Sequence, residues 1–200
     1  MTRIVVLRHA PTAWNRDKRL QGRTDVALDE DGISIAARWR VDPDWATYRI
    51  LSSPLGRARM TASILFPDAE IGVDSRLIEM DFGAWEGKRL KELRAEPADD
   101  SGDDTAARED MGLDFRAPNG ESPREVQARL LPLLARLAEL QRPTVLVTHK
   151  AVSRAIYALA SGWTMIGKPP VKLRPNNAHV YVLGADGTPA IERLNVGLEG

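Results

Sequence analysis

The stretch Ile4-Val5-Val6-Leu7-Arg8-His9-Ala10-Pro11 decides the fold class of this chain. Four consecutive apolar residues, rich in β-branched side chains, predict a short strand that is buried on both faces, as in a parallel sheet. Pro11 has no backbone N–H to donate to a sheet, so the strand must end before it. Arg8 and His9 therefore follow directly after a buried strand, at the edge where α/β proteins bind their ligands.

Further strands and helices alternate along the chain. We predict strands at Tyr48–Leu51, Thr144–Val147 and His179–Leu183, and helices at Leu55–Leu65, Pro123 to about Leu140, and Ala151–Ala160. The second of these helices has the clearest start, because Ser122 and Glu125 form a capping box around a proline in the first helical position. Strands that alternate with helices predict an α/β layered domain with a largely parallel sheet.

The composition is that of a globular domain. The 200 residues, 43% apolar and 28% charged, suit a single domain over residues 1–200 with a full core. The 28 basic residues equal the 28 acidic ones, and this zero net charge argues against nucleic acid as a partner. The absence of cysteine excludes disulfide scaffolds, thiolate zinc sites and cysteine nucleophiles. Apolar runs are too short for a signal peptide or a membrane span, so we expect a cytoplasmic protein with no membrane partner.

One segment, about residues 95–118, departs from this pattern as an insertion. Its central part, Glu96–Asp110, carries seven acidic residues and one arginine, with almost nothing apolar. Such a composition is typical of a solvated, mobile surface loop. A lid over the active site, whose negative charge repels large polyanions, is the alternative interpretation.

Polar residues follow three of the predicted strands: Arg8-His9, Ser52-Ser53 leading to Arg57, and Thr148-His149. Because ligands bind at the carboxyl ends of strands in open α/β sheets, we expect these groups to meet in one pocket. Guanidinium groups match phosphate oxygens as bidentate donors, and a neutral imidazole can attack phosphorus. No carboxylate cluster with metal-ligand spacing accompanies them. We therefore expect arginines, and neither a metal ion nor a cofactor, to neutralise the phosphate charge.

A series of sequence blocks resembles the histidine phosphatase superfamily, the phosphoglycerate-mutase-like enzymes. The blocks are Leu7–Asn15, Gln21–Asp25, Ser52–Leu55 with Arg57-Ala58 and Thr61-Ala62, Glu79–Gly83 with Trp85–Gly87, Gly120–Ser122, and Val147–His149. They follow the family's order and, with the flanking strands, span residues 4 to about 183. The resemblance implies a three-layer α/β/α sandwich around a mixed, mostly parallel sheet.

The resemblance also implies roles for individual residues. His9 would be the nucleophile that becomes phosphohistidine, and Glu79 would protonate the leaving oxygen and then activate water. The groups that would hold the phosphoryl oxygens are Arg8, Arg57 and His149. The other substrate-binding positions would be Thr12, Asn15, Gln21 and Gly22.

The chain departs from the family pattern at Ala10 and Lys150, which stand where the family usually has glycine. A cation in the first turn of a helix opposes the helix dipole, at a cost of up to ~1 kcal/mol. Either the Lys150 ammonium reaches solvent, or it contacts a second anionic group of the substrate.

The reaction implied is metal-independent hydrolysis of a small phosphorylated metabolite. A phosphatase is favoured because Gln21-Gly22-Arg23 stands where mutases typically have Thr-Gly-Trp. Cofactor-dependent mutases also carry a longer insertion after the segment that bears the acid, whereas here only about thirty residues separate Gly87 from Pro118. A cofactor-dependent phosphoglycerate mutase and a regulatory phosphate-binding module without turnover are the alternatives. Gly22–Asp25 also resembles α-ribazole phosphatases, and a sugar phosphate is another candidate substrate. A homodimer is an open alternative to a monomer.

Overall fold

In a computed structural model, which describes residues 1–95 and 110–198, backbone hydrogen bonds join six strands into one mixed sheet. The strands are β1 (Thr2–Arg8), β2 (Arg49–Ser52), β3 (Ile71–Val73), β4 (Thr144–Thr148), β5 (Asn177–Leu183) and β6 (Pro189–Gly197). Their order across the sheet is β3-β2-β4-β1-β5-β6. The first four strands in this order are parallel, and β5 and β6 are antiparallel to their neighbours. The prediction of a mixed, mostly parallel sheet is confirmed.

Helices connect these strands. The α-helices of the described residues are α1 (Ala13–Arg16), α2 (Glu30–Arg38), α3 (Gly56–Leu65), α4 (Leu90–Leu93), α5 (Pro123–Leu140) and α6 (Lys150–Ser161). Short 3-10 helices occupy Pro43–Thr47, Ser75–Leu77, Gly83–Trp85 and Gly112–Asp114. α5 begins with the predicted capping box, in which the Glu125 carboxylate accepts the N–H of Ser122 at 2.8 Å. Within the part of the chain described, no helix is both long enough and apolar enough to cross a lipid bilayer.

Apolar side chains cover both faces of the sheet. Ile4 and Val6 of β1 belong to a buried cluster that includes residues of α5 and α6. Val5 and Leu7 belong to a second buried cluster that includes residues of α2 and α3. Because successive side chains of a strand point to opposite faces, a strand between two helical layers must be apolar at every position. The three-layer arrangement explains the apolar run that precedes Arg8.

Three strands end together at one edge of the sheet. The register pairs Arg8 of β1 with Thr148 of β4, and Ser52 of β2 with Val147 of β4. The backbone N–H of His9 continues this pattern by donating to the carbonyl of Thr148 at 2.9 Å. The polar residues after β1, β2 and β4 are therefore neighbours, as the sequence predicted.

The predicted acidic insertion falls largely on residues 96–109, which lie outside the described residues. The described part that follows packs against the domain. Ala117 is fully buried, and the Phe115 ring lies 5.5 Å from the Trp85 ring, centroid to centroid. Phe115 and Ala117 therefore contribute to a small apolar cluster beside the cavity described below.

Candidate active site

The edge at which β1, β2 and β4 end opens into a cavity of about 770 Å³. Seven of the ten predicted site residues line it: Arg8, His9, Asn15, Gln21, Arg57, Glu79 and Lys150. Its apolar lining includes Leu20, Phe82, Trp85, Leu90, Phe115 and Met165. The cavity therefore combines a strongly cationic part with an apolar and aromatic part.

His9 lies at the end of β1 and is only 5% exposed. Its Nδ1 lies 2.7 Å from the carbonyl oxygen of Ala10. Because a carbonyl only accepts hydrogen bonds, Nδ1 must carry the ring proton, and Nε2 keeps its lone pair. Burial, reinforced by the positive charges of Arg8 and Arg57, holds the pKa of His9 well below its ordinary 6.5. The imidazole is therefore neutral near pH 7, the form that can act as a nucleophile.

His149 packs beside His9, with 5.1 Å between the ring centroids and 57° between the ring planes. Its Nε2 lies 2.7 Å from Oγ of Ser53, which also accepts the N–H of Leu55 at 3.3 Å. Because the Ser53 hydroxyl has no other acceptor within the described residues, it donates to Nε2, and the ring proton then lies on Nδ1. That Nδ1 is buried and has no partner in the described part of the chain. Burial, together with His9 and Arg57, holds the pKa of His149 well below 6.5.

Arg57 is fully buried in the first turn of α3. Its Nη2 donates to the carbonyl of Gly22 at 2.7 Å, and its Nη1 donates to the carbonyl of Thr24 at 2.8 Å. The Nε atoms of Arg57 and of Arg8 are buried without partners among residues 1–95 and 110–198. Burial lowers the pKa of both guanidinium groups from 12.5. An unsatisfied buried donor costs about 1–3 kcal/mol, so a bound anion would recover free energy here.

The loop that fixes Arg57 is itself held by Glu86, a residue that the sequence analysis did not single out. The Glu86 carboxylate accepts the N–H of Arg23 at 2.7 Å and the N–H of Thr24 at 2.9 Å. Gly22 has a φ of +55°, and a Cβ at this position would lie 1.8 Å from Oε1 of Glu86. Gly22 thus permits the close approach of Glu86 and contacts Arg57 through its carbonyl.

Thr12 connects the cavity to the start of α1. Its Oγ1 donates to Oε1 of Gln21 at 3.1 Å, and its N–H donates to Oδ1 of Asn15 at 3.1 Å. Thr12 is fully buried, whereas Asn15 and Gln21 line the cavity. Thr12 therefore orients two side chains that can contact a ligand.

Glu79 is 7% exposed and faces the cavity beside the start of α6. Its Oε1 accepts the N–H of Met80 at 2.9 Å and the N–H of Ala151 at 3.2 Å. Burial raises the pKa of Glu79 above 4.5, although the two backbone N–H groups and the nearby guanidinium groups oppose this shift. A carboxyl group that can hold a proton, beside donors that stabilise its ionised form, can act as acid and as base.

Lys150 is the first residue of α6; it lines the cavity and is exposed, so its side chain reaches solvent there. The surrounding protein lowers the pKa of its ammonium from 10.5, and the charges of Arg8 and Arg154 add to this effect. Arg154 also lines the cavity, with its guanidinium carbon 4.9 Å from the centre of the Trp163 ring. Sequence reasoning missed Arg154, although its place in the predicted helix Ala151–Ala160, four residues after Lys150, was a usable signal. Other cavity residues that it missed include Lys18, Arg19, Met165 and Lys168.

Comparison with known proteins confirms the resemblance seen in the sequence. Residues 4–197 match the model of the histidine phosphatase superfamily, branch 1. A probable phosphoglycerate mutase from Citrobacter koseri is 32% identical over 160 residues, which are 74% of this chain and 70% of the relative.

Solved structures of similar fold include two phosphatases. A phosphoserine phosphatase from Entamoeba histolytica, in complex with 3-phosphoglyceric acid, has a TM-score of 0.78 and 25% identity, covering 98% of this chain and 97% of that chain. A mycobacterial glucosyl-3-phosphoglycerate phosphatase has a TM-score of 0.74 and 30% identity, covering 100% of both chains. The chain is therefore an enzyme of the histidine phosphatase superfamily, branch 1.

Proposed function

We propose that this histidine phosphatase hydrolyses a small phosphomonoester by passing the phosphoryl group first to His9 and then to water. One observation carries the proposal. A neutral, buried His9, whose Nε2 keeps its lone pair, lines the same cavity as Arg8 and Arg57 and packs against His149. Each of these three neighbours has a buried nitrogen without a partner in the described residues: Nε of Arg8, Nε of Arg57 and Nδ1 of His149. A phosphoryl group is the reactant that this combination of nucleophile and donors suits.

In the first step, Nε2 of His9 attacks phosphorus and a nitrogen–phosphorus bond forms. The bond from phosphorus to the ester oxygen breaks, and the protonated Glu79 transfers its proton to that oxygen. Arg8, Arg57 and His149 stabilise the charge on the three remaining phosphoryl oxygens. Loss of one such donor typically reduces kcat by about 10²–10³-fold.

In the second step, the ionised Glu79 accepts a proton from a water molecule as that water attacks phosphorus. The nitrogen–phosphorus bond breaks, inorganic phosphate forms, and Nε2 of His9 recovers its lone pair. The N–H groups of Met80 and Ala151 stabilise Glu79 in this ionised state. The two guanidinium groups supply the positive charge that a metal ion supplies in other phosphoryl-transfer enzymes. We therefore expect the enzyme to keep its full activity in the presence of the chelator EDTA.

Mutase activity is a second candidate, because the Citrobacter koseri relative is called a probable phosphoglycerate mutase. A mutase would use the same phosphohistidine but return the phosphoryl group to a substrate hydroxyl. We favour hydrolysis because phosphatases of similar fold, at 25% and 30% identity, cover nearly the whole chain.

The test is a phosphate-release screen over phosphorylated metabolites, carried out with EDTA present. We expect phosphate release, and a burst of acid-labile phosphoenzyme that is absent from His9→Ala. The matched control is His179→Asn, a histidine variant outside the cavity. Full activity in His9→Ala would contradict the nucleophile assignment, and loss of activity in EDTA would contradict the arginine-based mechanism. Interconversion of 2- and 3-phosphoglycerate, primed by the bisphosphate and without net hydrolysis, would favour the mutase.

A further inference from the structure

Two cations on α6, Lys150 and Arg154, face the cavity, and neither forms an ion pair with a carboxylate of the described residues. They lie one helical turn apart and both line the cavity. α6 contains no acidic residue, and no carboxylate within residues 1–95 and 110–198 forms an ion pair with either side chain. The nearby carboxylate of Glu79 acts on Lys150 electrostatically but is not its ion-pair partner, so both cations can contact a ligand.

This placement is electrostatically unfavourable in the free protein. Two like charges four residues apart on a helix repel each other. Lys150 in addition stands in the first turn of α6, where the helix dipole opposes a cation. The half-buried guanidinium of Arg154 lies over the Trp163 ring, which orients it without neutralising it. An anion bound to both side chains would offset these unfavourable terms.

The cavity holds more positive charge and more space than one phosphoryl group needs. Within the described part of the chain, eight cationic side chains line it, among them Arg19, which is paired with Asp17, and the carboxylates that line it are those of Glu79 and Asp110. Arg8 and Arg57 are assigned to the phosphoryl group. A volume of about 770 Å³ lies in the range of pockets for ligands much larger than phosphate.

Lys150 lies on the side of the cavity where the leaving group must be. It precedes Ala151, whose N–H holds the proposed general acid Glu79. Glu79 must contact the ester oxygen that leaves, so the next part of the substrate lies near the first turn of α6. The cations of that turn are therefore placed to contact the alcohol part of the substrate.

We propose that Lys150 and Arg154 form a subsite for a second oxyanion, a carboxylate or a second phosphate, on the alcohol part of the substrate. The substrate class is then a phosphomonoester with two anionic groups. This inference rests on the proposed function and specifies its substrate.

The experiment compares three classes of substrate. Glycerol 3-phosphate and p-nitrophenyl phosphate carry one anionic group, 3-phosphoglycerate adds a carboxylate, and fructose 1,6-bisphosphate adds a phosphate. The variants are Lys150→Gln and Arg154→Gln, and the matched control is Arg136→Gln, an exposed arginine on α5. Circular dichroism checks that each variant is folded.

We expect the wild-type enzyme to prefer one of the two-anion substrates. Each variant should lose about tenfold or more in kcat/KM on that substrate, the scale of one charge-assisted contact, and less than about threefold on p-nitrophenyl phosphate. A loss specific to 3-phosphoglycerate identifies the second oxyanion as a carboxylate, and a loss specific to fructose 1,6-bisphosphate identifies it as a phosphate. Equal losses on all substrates, or no loss on any, would overturn the subsite. Failure of the proposed function is distinguishable, because then the wild-type enzyme would not hydrolyse even p-nitrophenyl phosphate.

Discussion

The backbone N–H of Ala151 lies 3.2 Å from Oε1 of Glu79, so the proposed general acid accepts a hydrogen bond from the first turn of α6. The residue immediately before that helix is His149, which caps it, and its first residue is Lys150. One helix start therefore fixes the positions of the proposed acid, of the imidazole proposed to bind phosphate and of a candidate substrate cation. Such a shared anchor keeps their distances nearly constant, which transition-state stabilisation requires.

Replacing Glu79 with glutamine should separate the two chemical steps. The amide side chain can still accept hydrogen bonds but cannot donate and recover a proton, so kcat/KM on alkyl phosphates should fall by about 10²–10⁴-fold. With p-nitrophenyl phosphate, whose leaving group needs little protonation, phosphoenzyme should accumulate because its hydrolysis still needs the base. Rapid quenching into alkali measures this accumulation. The control is Glu192→Gln, on β6, where Glu192 forms an ion pair with Arg3 of β1. Unchanged rates in Glu79→Gln would contradict the assignment of Glu79 as acid and base.

Ser53→Ala tests the orientation of His149. The hydroxyl of Ser53 lies 2.7 Å from Nε2 of His149. Without this hydroxyl, no hydrogen bond fixes which of the two ring nitrogens of His149 carries the proton. We expect kcat/KM to fall about tenfold, the scale of one buried hydrogen bond, with little change in the affinity for an uncharged inhibitor. Nitrogen NMR of the imidazole should show loss of the form protonated at Nδ1. Ser63→Ala removes an exposed hydroxyl as the control; an unchanged His149 spectrum would refute the tautomer argument.

Local patterns in the sequence predicted much of this site. The apolar run before Arg8 implies a strand between two layers, and Arg8 and His9 follow it by necessity. Contacts between distant segments could not be predicted in the same way. Glu86 acts on backbone N–H groups 62 and 63 residues away, and no pattern of side-chain types marks an acceptor for backbone donors.

The two edge strands of the sheet, β3 and β6, were not predicted from the sequence for a related reason. β3 has three residues with half-buried or exposed side chains, and β6 is largely exposed at the opposite edge. An edge strand has no continuous apolar run, because one of its sides is not covered. The alternation that identifies a half-buried strand also needs more than three residues.

Glu86→Gln tests whether the loop that bonds to Arg57 sets the affinity for phosphate. The glutamine side chain has one neutral acceptor oxygen, whereas the carboxylate has two charged ones. The hydrogen bonds from the N–H groups of Arg23 and Thr24 should therefore be weaker. The carbonyls that accept from Arg57 should then move, and we expect the inhibition constant of inorganic phosphate to rise about tenfold. KM should increase more than kcat decreases. Glu92→Gln, at an exposed ion pair on α4, is the control; a lower Tm without weaker phosphate binding would indicate a purely structural role.

His179 should make the protein less stable in mild acid. It is buried in β5, where its Nδ1 accepts the N–H of Asn195 at 3.2 Å, and burial lowers its pKa from 6.5 to about 4. Between these two values the unfolded chain binds a proton that the folded chain does not, so stability falls as the pH decreases through this window. The full loss for this residue is about 3 kcal/mol. His9 and His149 act in the same direction, because burial lowers the pKa of each.

Asparagine at position 179 retains an acceptor for Asn195 but cannot be protonated in this range. We therefore expect the free energy of unfolding of His179→Asn, measured in urea from pH 7 to pH 4, to decrease less steeply than that of the wild-type protein. Imperfect packing should make His179→Asn less stable than the wild-type protein at pH 7, and this difference in the free energy of unfolding should be smaller at pH 4. The His9 and His149 contributions remain in both proteins and cancel in the comparison. Parallel curves for the two proteins would show that His179 is protonated equally in the folded and unfolded states.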